Sequence, residues 1–386
     1  MAKDIIIGLD VGTSTVKIVV AKSLPNELHI LATGQKPGAG LRRGYVIDPD
    51  LTAEAIRGAV KEAERISNTT IRHAYIAIGG IKLEVLRSKG MAIVSRADNE
   101  VSENDVKRAI NQAENNLSRI ANRTIIHTIP FSYKIDGETV FGEPVGMKGE
   151  RLEAETLFVA CLSQHLASLV KSAELAGVAI DDIIAGPLAS SCVLLTKRQK
   201  EVGAVLVDIG AETTAMAVFE EGNLLSLEVL AFGSNHITND IALGLQTSLE
   251  EAEELKLSYV SDNQKKKLTD IIEARLDDIF ELIESHLKKI GRSGLLPAGA
   301  ILTGGGANLA NIEEFTKNYL KLPVKVGSPV IPLKIYDKQI HNPKWSTALG
   351  LCVLGSGIIP IPGESTGAGI KKRGHPLLRW LKSFLP

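Results

Sequence analysis

Three short stretches hold the residues whose types and spacing could do chemistry. The first is Asp10-Val-Gly12-Thr13-Ser14-Thr15-Val-Lys17, set between the β-branched runs Ile5–Ile7 and Val16–Val20. That order predicts strand, tight connection, strand. Such a turn offers an oligophosphate successive backbone N–H groups, hydroxyls that donate, and a glycine that lets the chain come close. Lys17 adds positive charge, and Asp10 can hold a Mg²⁺ through its water shell. Taken alone, the segment is equally an ordinary hairpin with a polar tip.

The second stretch, Asp208-Ile-Gly210-Ala-Glu-Thr213-Thr214, lies between Val202–Val207 and Ala215–Phe219 and repeats the first in kind. Asp208 matches Asp10, Gly210 matches Gly12, and Thr213 falls near Thr15. A chain that uses one turn twice implies two related halves facing a common ligand. The third stretch, Gly304-Gly305-Gly306, ends the apolar run Gly299–Thr303 and leads toward a helix over 309–319. Glycines without Cβ let a flat base or sugar lie against the backbone, and a helix N-terminus favours negative charge. A triple glycine is otherwise a flexible turn. Glu253 and Lys256, spaced for one helix face in an acidic helix over 248–259, read on their own as a solvated surface.

The elements that must position these turns follow in order. A third strand is expected over 27–33 and a Gly-rich loop over 36–44. A helix over 50–67 carries Leu51, Ala55, Ile56, Val60 and Ala63 at helical spacing, with Asp50 or Thr52 as N-cap. A buried strand is expected over 73–79. From Leu83 the pattern changes: a short strand over 91–94, a helix over 102–120 whose capped start is Ser102 followed by Asp105, and strands over 125–130, 131–135 and 157–160. This block reads as a small module inserted into the first domain, because a helix over 163–176 and a strand over 180–185 resume the interrupted pattern. Helices over 233–243 and 268–290 follow the second turn.

Composition sets bounds on the whole. A chain of 386 residues suggests two to four domains or subdomains. A formal charge of −1 gives no footprint of nucleic-acid binding, and none is expected as a partner. Few aromatics with many Gly, Ala, Ile, Leu and Val suit α/β layers. Cys161, Cys192 and Cys352 show no ligand spacing and read as reduced core residues. The N-terminus lacks the apolar region of a signal peptide, and no apolar run is long enough to span a bilayer, so a cytosolic chain is expected unless something attaches it to a surface.

That attachment is legible at the end of the chain. Residues 359–374 are rich in Pro, Gly and Ser and close on Lys371, Lys372 and Arg373, as a tether does. Beyond them, Leu377, Leu378, Trp380, Leu381, Phe384 and Leu385 share one helical face, with Arg379, Lys382 and Ser383 opposite. This is a basic amphipathic helix suited to an anionic bilayer interface, where burying those side chains gives a gross drive on the order of 10 kcal/mol. Docking on the protein's own core is the other reading.

Together the three turns resemble the nucleotide cleft of the actin, sugar-kinase and heat-shock-chaperone superfamily, and within it the chain is most similar to the FtsA family of bacterial cell-division proteins. The inserted module, the start of a linking helix at Ala185–Ser191, the segment Asn235–Ala242 after the second turn, and the amphipathic tail carry that resemblance, which runs from Ile5 to the C-terminus. It implies an α/β fold of duplicated actin-like, ribonuclease-H-like domains around a nucleotide cleft, with an inserted α+β subdomain. The implied parts are a first actin-like domain over 1–82 and 164–200, the insertion at 83–163, and a second actin-like domain over 201–244 and 299–358. A reduced helical subdomain at 245–298, a linker at 359–375 and a membrane-targeting helix at 376–386 complete it. ATP·Mg²⁺ would lie between the halves, with Gly12, Thr13, Ser14, Thr15 and Lys17 on one side of the phosphates and Gly210, Thr213 and Thr214 on the other. Asp10 and Asp208 would place the metal, and Gly304, Gly305, Gly306, Glu253 and Lys256 would hold adenosine.

The resemblance further implies a peripheral protein at the cytoplasmic face of the membrane at the division site. Its partners would be the C-terminal peptide of FtsZ, further copies of itself in a filament, anionic lipids and other division proteins. Two departures qualify it. Gly186 stands where chaperones and the shape-determining filament protein have a Glu beside the metal, so slow turnover is expected. The stretch between Tyr259 and Leu268 is too short for the strands that the family usually carries in its fourth subdomain. A PilM-type adaptor of a pilus or secretion assembly shares the cleft and the insertion but not the need for such a tail. A sugar kinase would require a catalytic Asp that is not identifiable, and a chaperone a longer chain.

Overall fold

The computed structural model describes residues 5–25, 27–118, 120–259, 266–335 and 338–360. The expected amphipathic helix at 376–386 and nearly all of the linker lie outside them. Contacts divide the chain into two units, one of residues 1–81 with 167–359, the other containing 82–166.

The first unit begins with β1 (Ile5–Val11), β2 (Thr15–Leu24) and β3 (Glu27–Pro37), an antiparallel meander, followed by the short pair β4 (Leu41–Arg42) and β5 (Tyr45–Val46). Helix α1 (Pro49–Ser67) then leads to β6 (His73–Ile78), parallel to β1. Neither Asp50 nor Thr52 caps α1. Asp48 does, its Oδ1 accepting from the N–H groups of Asp50 and Leu51. Pro49 suits the first helical position, where its missing N–H costs no intrahelical bond and its fixed φ is already helical, so the cap falls on the residue before it. Thr52 is buried and donates its hydroxyl to the Ala39 and Asp48 carbonyls.

Residues of the second unit form β7 (Glu84–Ile93), α2 (Glu103–Asn115), β8 (Arg123–Ile135), β9 (Glu138–Val140) and β10 (Arg151–Leu162), an antiparallel sheet in the order β7-β10-β8-β9. Ser102 caps α2, with Ser102 and Asp105 satisfying each other's backbone N–H groups as a capping box. That network holds the Asp105 carboxyl well below its usual range despite burial. The helix ends at Asn115 rather than Ile120. The strands expected over 125–130 and 131–135 are one strand, because the register shift beside β10 falls at Pro130, where a missing N–H costs no ladder bond. β7 extends well before the apolar run at 91–94, because its earlier residues, among them Glu84, Arg87, Ser88 and Lys89, continue the ladder with β10 while staying partly or fully exposed.

The first unit resumes with α3 (Ser163–Leu175), which starts at the end of the second unit, then β11 (Ala179–Ala185), α4 (Gly186–Leu194) and α5 (Lys197–Val202). A second meander follows, β12 (Ala204–Ile209), β13 (Thr214–Glu220) and β14 (Asn223–Leu230), then α6 (Ser234–Leu245), α7 (Leu249–Leu257) and α8 (Lys266–Lys289). The chain continues through β15 (Ala300–Thr303), α9 (Ile312–Leu320), β16 (Val324–Val326), β17 (Leu333–Ile335) and α10 (Ser346–Ser356).

The duplication is visible in the sheets. One runs β11-β6-β1-β2-β3-β17, the other β14-β13-β12-β15-β16. In each, a three-stranded antiparallel meander is extended from its first strand by two parallel strands, β6 and β11 in one and β15 and β16 in the other. Buried Leu9, Val16 and the apolar runs Ile18–Ala21 and Ala204–Val207 supply the cores, and continuous apolar character is what two-sided burial of such strands requires. Behind the second sheet, α8 contributes Ile272, Leu276, Ile279, Phe280, Ile283 and Leu287 at helical spacing. Between Leu245 and Pro297, the described residues are helical and contain no strand.

Candidate functional site

The β1–β2 and β12–β13 connections end side by side on one cavity of about 600 Å³ within the first unit. Register makes the turns equivalent. Val11 pairs Val16 as the last rung of one hairpin, and Ile209 pairs Thr214 as the last rung of the other. A Cβ on Gly12 would come within 2.8 Å of the Thr15 carbonyl oxygen, and one on Gly210 within 2.9 Å of that of Thr213. Both turns are therefore tightened by the same close approach, and the match of Asp10, Gly12 and Thr15 with Asp208, Gly210 and Thr213 holds atom by atom. The β4–β5 loop touches both: the Gly44 N–H donates to Thr13 Oγ1 at 3.1 Å, and the Arg43 N–H donates to the Glu212 carboxylate.

Electrostatically the turns differ. Lys17 Nζ lies 2.7 Å from Asp10 Oδ2 and also reaches the Thr15 carbonyl. Asp208 has no such cation. Burial first, and then the negative charge of Asp10, pushes its carboxyl up to about 6, against smaller opposing effects of Lys17 and Thr347. A carboxyl held in that state favours an incoming cation.

The third wall is the glycine run. Gly304 has φ +84°, and a Cβ there would meet Asp208 Oδ1 at 2.3 Å. A Cβ on Gly306 would meet the Ile209 side chain at 2.4 Å. Only at Gly305 is the space open. Two of the three glycines thus let this turn pack against the end of β12, and one leaves bare backbone facing the cavity. A 3-10 turn over 305–308 intervenes before α9, so the helix begins at Ile312, later than the expected 309. The Asn308 and Asn342 side-chain amides bond to each other and close this edge.

Glu253 and Lys256 do not form a solvated face. Lys256 is buried, and its Nζ donates to the Ser234 carbonyl at 3.2 Å and Thr238 Oγ1 at 2.8 Å and lies 2.7 Å from Glu253 Oε2. Thr238 donates to the same Glu253 oxygen at 2.6 Å. Burial acts to raise the Glu253 carboxyl, but these bonds outweigh it and hold it low. Its other oxygen remains available to accept hydroxyls from the cavity, where both residues lie.

Thr214 must be corrected. It is fully buried, and its hydroxyl donates to the Phe232 carbonyl at 2.8 Å. As the first residue of β13 its side chain points into the lobe, whereas Thr213 and Ala215 line the cavity. The other nominated residues of the two phosphate turns, the glycine run, Glu253 and Lys256 all line it. Sequence reasoning missed Thr347, 3.5 Å from Asp208 Oδ2, and Lys344. It also missed Gly79 and Gly80 after β6, for which a glycine pair ending a strand was a usable signal. The membrane-facing set from Leu377 to Leu385 lies outside the described residues.

The cell-division protein FtsA of Pseudomonas aeruginosa is 33% identical to this chain over 374 residues, covering 91% of this chain and 89% of that protein. The chain belongs to the FtsA family. The Bacillus subtilis FtsA is 31% identical over 387 residues, covering 94% and 86%. The sequence profile of cell division protein FtsA matches residues 205–350, and that of the SHS2 domain inserted in FtsA matches residues 80–160. The chain is thus a cell-division protein, and its second unit is an insertion of the type this family carries. Among solved structures, a chain of the PilM–PilN type IV pilus biogenesis complex superposes with a TM-score of 0.69 at 20% identity, covering 91% of this chain and 98% of that one. MreB5 of Spiroplasma citri bound to ADP gives 0.54 at 12%, covering 92% and 97%. These distant likenesses show that this FtsA-family chain has the actin-like fold expected from its paired turns.

Proposed function

We propose that this FtsA-family chain binds ATP with Mg²⁺ between its two lobes, assembles with copies of itself at the cytoplasmic face of the membrane, and tethers FtsZ there. The observation that carries the nucleotide reading is the pair of equivalent turns converging with the glycine run on one cavity. Backbone N–H groups at Gly12, Thr13 and Ser14 and at Thr213 would hold opposite sides of the phosphates, with Gly210, whose own N–H closes the turn on the Thr213 carbonyl, letting the chain come close, Lys17 adding charge and Thr15 its hydroxyl. Asp10 and Asp208 would hold the metal, and the unpaired, raised carboxyl of Asp208 fits that role. The bare backbone of Gly305 would face the adenosine, with Gly304 and Gly306 fixing its position. Glu253, oriented by Lys256, would accept the ribose hydroxyls. Mg²⁺ supplies neutralisation of phosphate charge.

Gly186 lines the cleft, and a Cβ there would sit in ordinary contact, 3.7 Å from the Ile78 carbonyl oxygen and Thr347 Cγ2. No carboxylate extends from that point to orient a water, which supports slow hydrolysis and a nucleotide that chiefly favours one conformation of the lobes. Membrane attachment would come from Leu377, Leu378, Arg379, Trp380, Leu381, Lys382, Phe384 and Leu385. No described helix is long and apolar enough to cross a membrane. A single amphipathic helix binds reversibly, and an array of subunits binds by avidity.

The test is co-sedimentation of the full chain with anionic vesicles, with and without FtsZ and ATP, beside a variant lacking residues 376–386. The full chain is expected to pellet with the vesicles and to carry FtsZ down more strongly with ATP. The truncated variant should stay in solution while still binding ATP. Equal pelleting of both forms would overturn the tether, and indifference to ATP would overturn the nucleotide-controlled part.

A further inference from the structure

Behind the first turn, on the side away from the nucleotide cleft, lies a second pocket whose charge the function above does not use. Ser14, Thr15 and Lys344 line both cavities, so the first turn is a partition between them. The far side is formed by Lys36 at the end of β3 and by Lys61, Glu62 and Arg65 on α1. Among the described residues, none of Lys36, Lys61, Arg65 and Lys344 has a carboxylate partner. The one acid, Glu62, accepts the Gln35 N–H at 2.9 Å, and the Gln35 side-chain oxygen accepts from Lys344 Nζ at 3.1 Å. Burial and the nearby Lys17 hold Lys344 below the usual lysine range.

The arrangement is built at a cost to the helix. Like charges at Lys61 and Arg65, one turn apart, repel. Arg65 has a reason in the last turn of α1, where the helix dipole favours a cation. Lys36 and Lys61 have no such position. Gly58, inside α1, lowers helix stability. A Cβ there would meet Lys36 Cγ at 2.5 Å and Cε at 3.0 Å. The glycine thus seats the Lys36 stem across the helix and directs its charge to the same pocket.

We propose that this pocket is a second oxyanion site, which takes inorganic phosphate as it leaves the cleft past Ser14 and Thr15. Binding of phosphate needs only the cations named; its origin in the cleft rests on the nucleotide reading above. Lys344, belonging to both cavities, would draw the anion across the partition, and Lys36, Lys61 and Arg65 would receive it. Phosphate from solution would be taken by the same groups, and the experiment separates the two sources.

Inorganic phosphate is titrated into the full chain with the cleft filled by a non-hydrolysable ATP analogue, and binding is followed by phosphorus NMR line broadening. The triple variant K36A/K61A/R65A, altered only at exposed side chains, should bind phosphate about tenfold more weakly or worse, with its affinity for the analogue unchanged. Lys61→Arg should retain binding. Absence of phosphate binding with the cleft filled, or equal affinity in wild type and triple variant, overturns the site. If the analogue itself does not bind, the nucleotide reading fails separately, and the loss of affinity in the triple variant is read without it. In a single turnover with ATP, release measured by a phosphate sensor should lag behind cleavage several-fold more in the triple variant. Unchanged release would assign the pocket to phosphate from solution and overturn the exit role.

Discussion

Each lobe offers its turn one aspartate and keeps one lysine close to a carboxylate, yet the pairing differs. In the first lobe Lys17 lies on Asp10 itself at 2.7 Å. In the second the lysine has moved to α7, where Lys256 lies at the same distance from Glu253 and leaves Asp208 bare. Two copies of one hairpin have thus divided the work. One turn keeps its carboxylate beside a lysine, and the other keeps a buried carboxyl whose charge is costly until a cation meets it. The difference can be broken from either side.

The largest effect is expected at Asp208. Asp208→Asn should weaken Mg²⁺-dependent ATP binding by about 100-fold, read by calorimetry, while Asp10→Asn, which leaves Lys17 free to meet phosphate, should cost clearly less. Asp208→Asn should also stabilise the nucleotide-free protein at neutral pH. The folded carboxyl titrates at about 6 and the unfolded one near 3.8, so folding takes up a proton between those values. Stability therefore falls as pH rises from about 4 to 6, and the penalty is fully present above that range. Removing the charge should recover up to about 3 kcal/mol at pH 7.5 and nothing near pH 3.5. Urea midpoints against pH for both proteins measure it, and parallel curves would contradict the assignment.

Breaking the other lobe's pair should act on stability more than on metal binding. Lys256→Met takes the cation from Glu253 and the donor from Thr238 and the Ser234 carbonyl, at about 2 kcal/mol. Glu253 is partly exposed, with 41% of its side chain accessible, and water limits the loss. Denaturant unfolding should show a lower midpoint with an unchanged slope. Adenosine affinity should fall with it because Glu253 loses its orientation. A variant that binds adenosine normally would separate α7 from the cleft.

The equivalence of the turns can be tested directly by giving each a Cβ. Gly12→Ala and Gly210→Ala face the same carbonyl at 2.8 and 2.9 Å, so both should cost about 1–2 kcal/mol, equal within the error of thermal unfolding. Unequal costs would mean that the lobes relax differently and that the duplication is geometric but not mechanical.

What was legible beforehand followed from period and punctuation. The hairpins, with their Asp-x-Gly turns between apolar runs, announced the duplicated meander, and the Ser102–Asp105 box announced α2. Strands lost to the reading were those with little apolar pattern, such as the first residues of β7, since a partly exposed edge needs no hydrophobic alternation. The wall contributed by Lys344 and Thr347 was illegible because α10 and the turn before it come late in the chain, and only tertiary packing brings Thr347 to Asp208 and Lys344 to Gln35. Glu253 and Lys256 misled in the opposite sense: an acidic helix normally faces water, and only contact with Thr238 and the Ser234 carbonyl turns this one inward.

Thr214 offers the smallest effect and the sharpest separation of the two roles a threonine can play here. The family resemblance placed its hydroxyl on phosphate beside that of Thr213, but the strand's alternation sends the two in opposite directions. In the first lobe the equivalent of Thr214 is Val16, fully buried and paired across the last rung with Val11. Thr214→Val therefore installs in the second lobe what the first already has. The change removes one buried hydrogen bond to the Phe232 carbonyl and leaves that oxygen short of a donor, for about 1 kcal/mol of stability. ATP affinity should not move, whereas Thr213→Val, on the cavity side of the same turn, should lower affinity with little effect on unfolding. A loss of affinity in Thr214→Val without loss of stability would return its hydroxyl to the phosphates and break the correspondence of the two hairpins at its last rung.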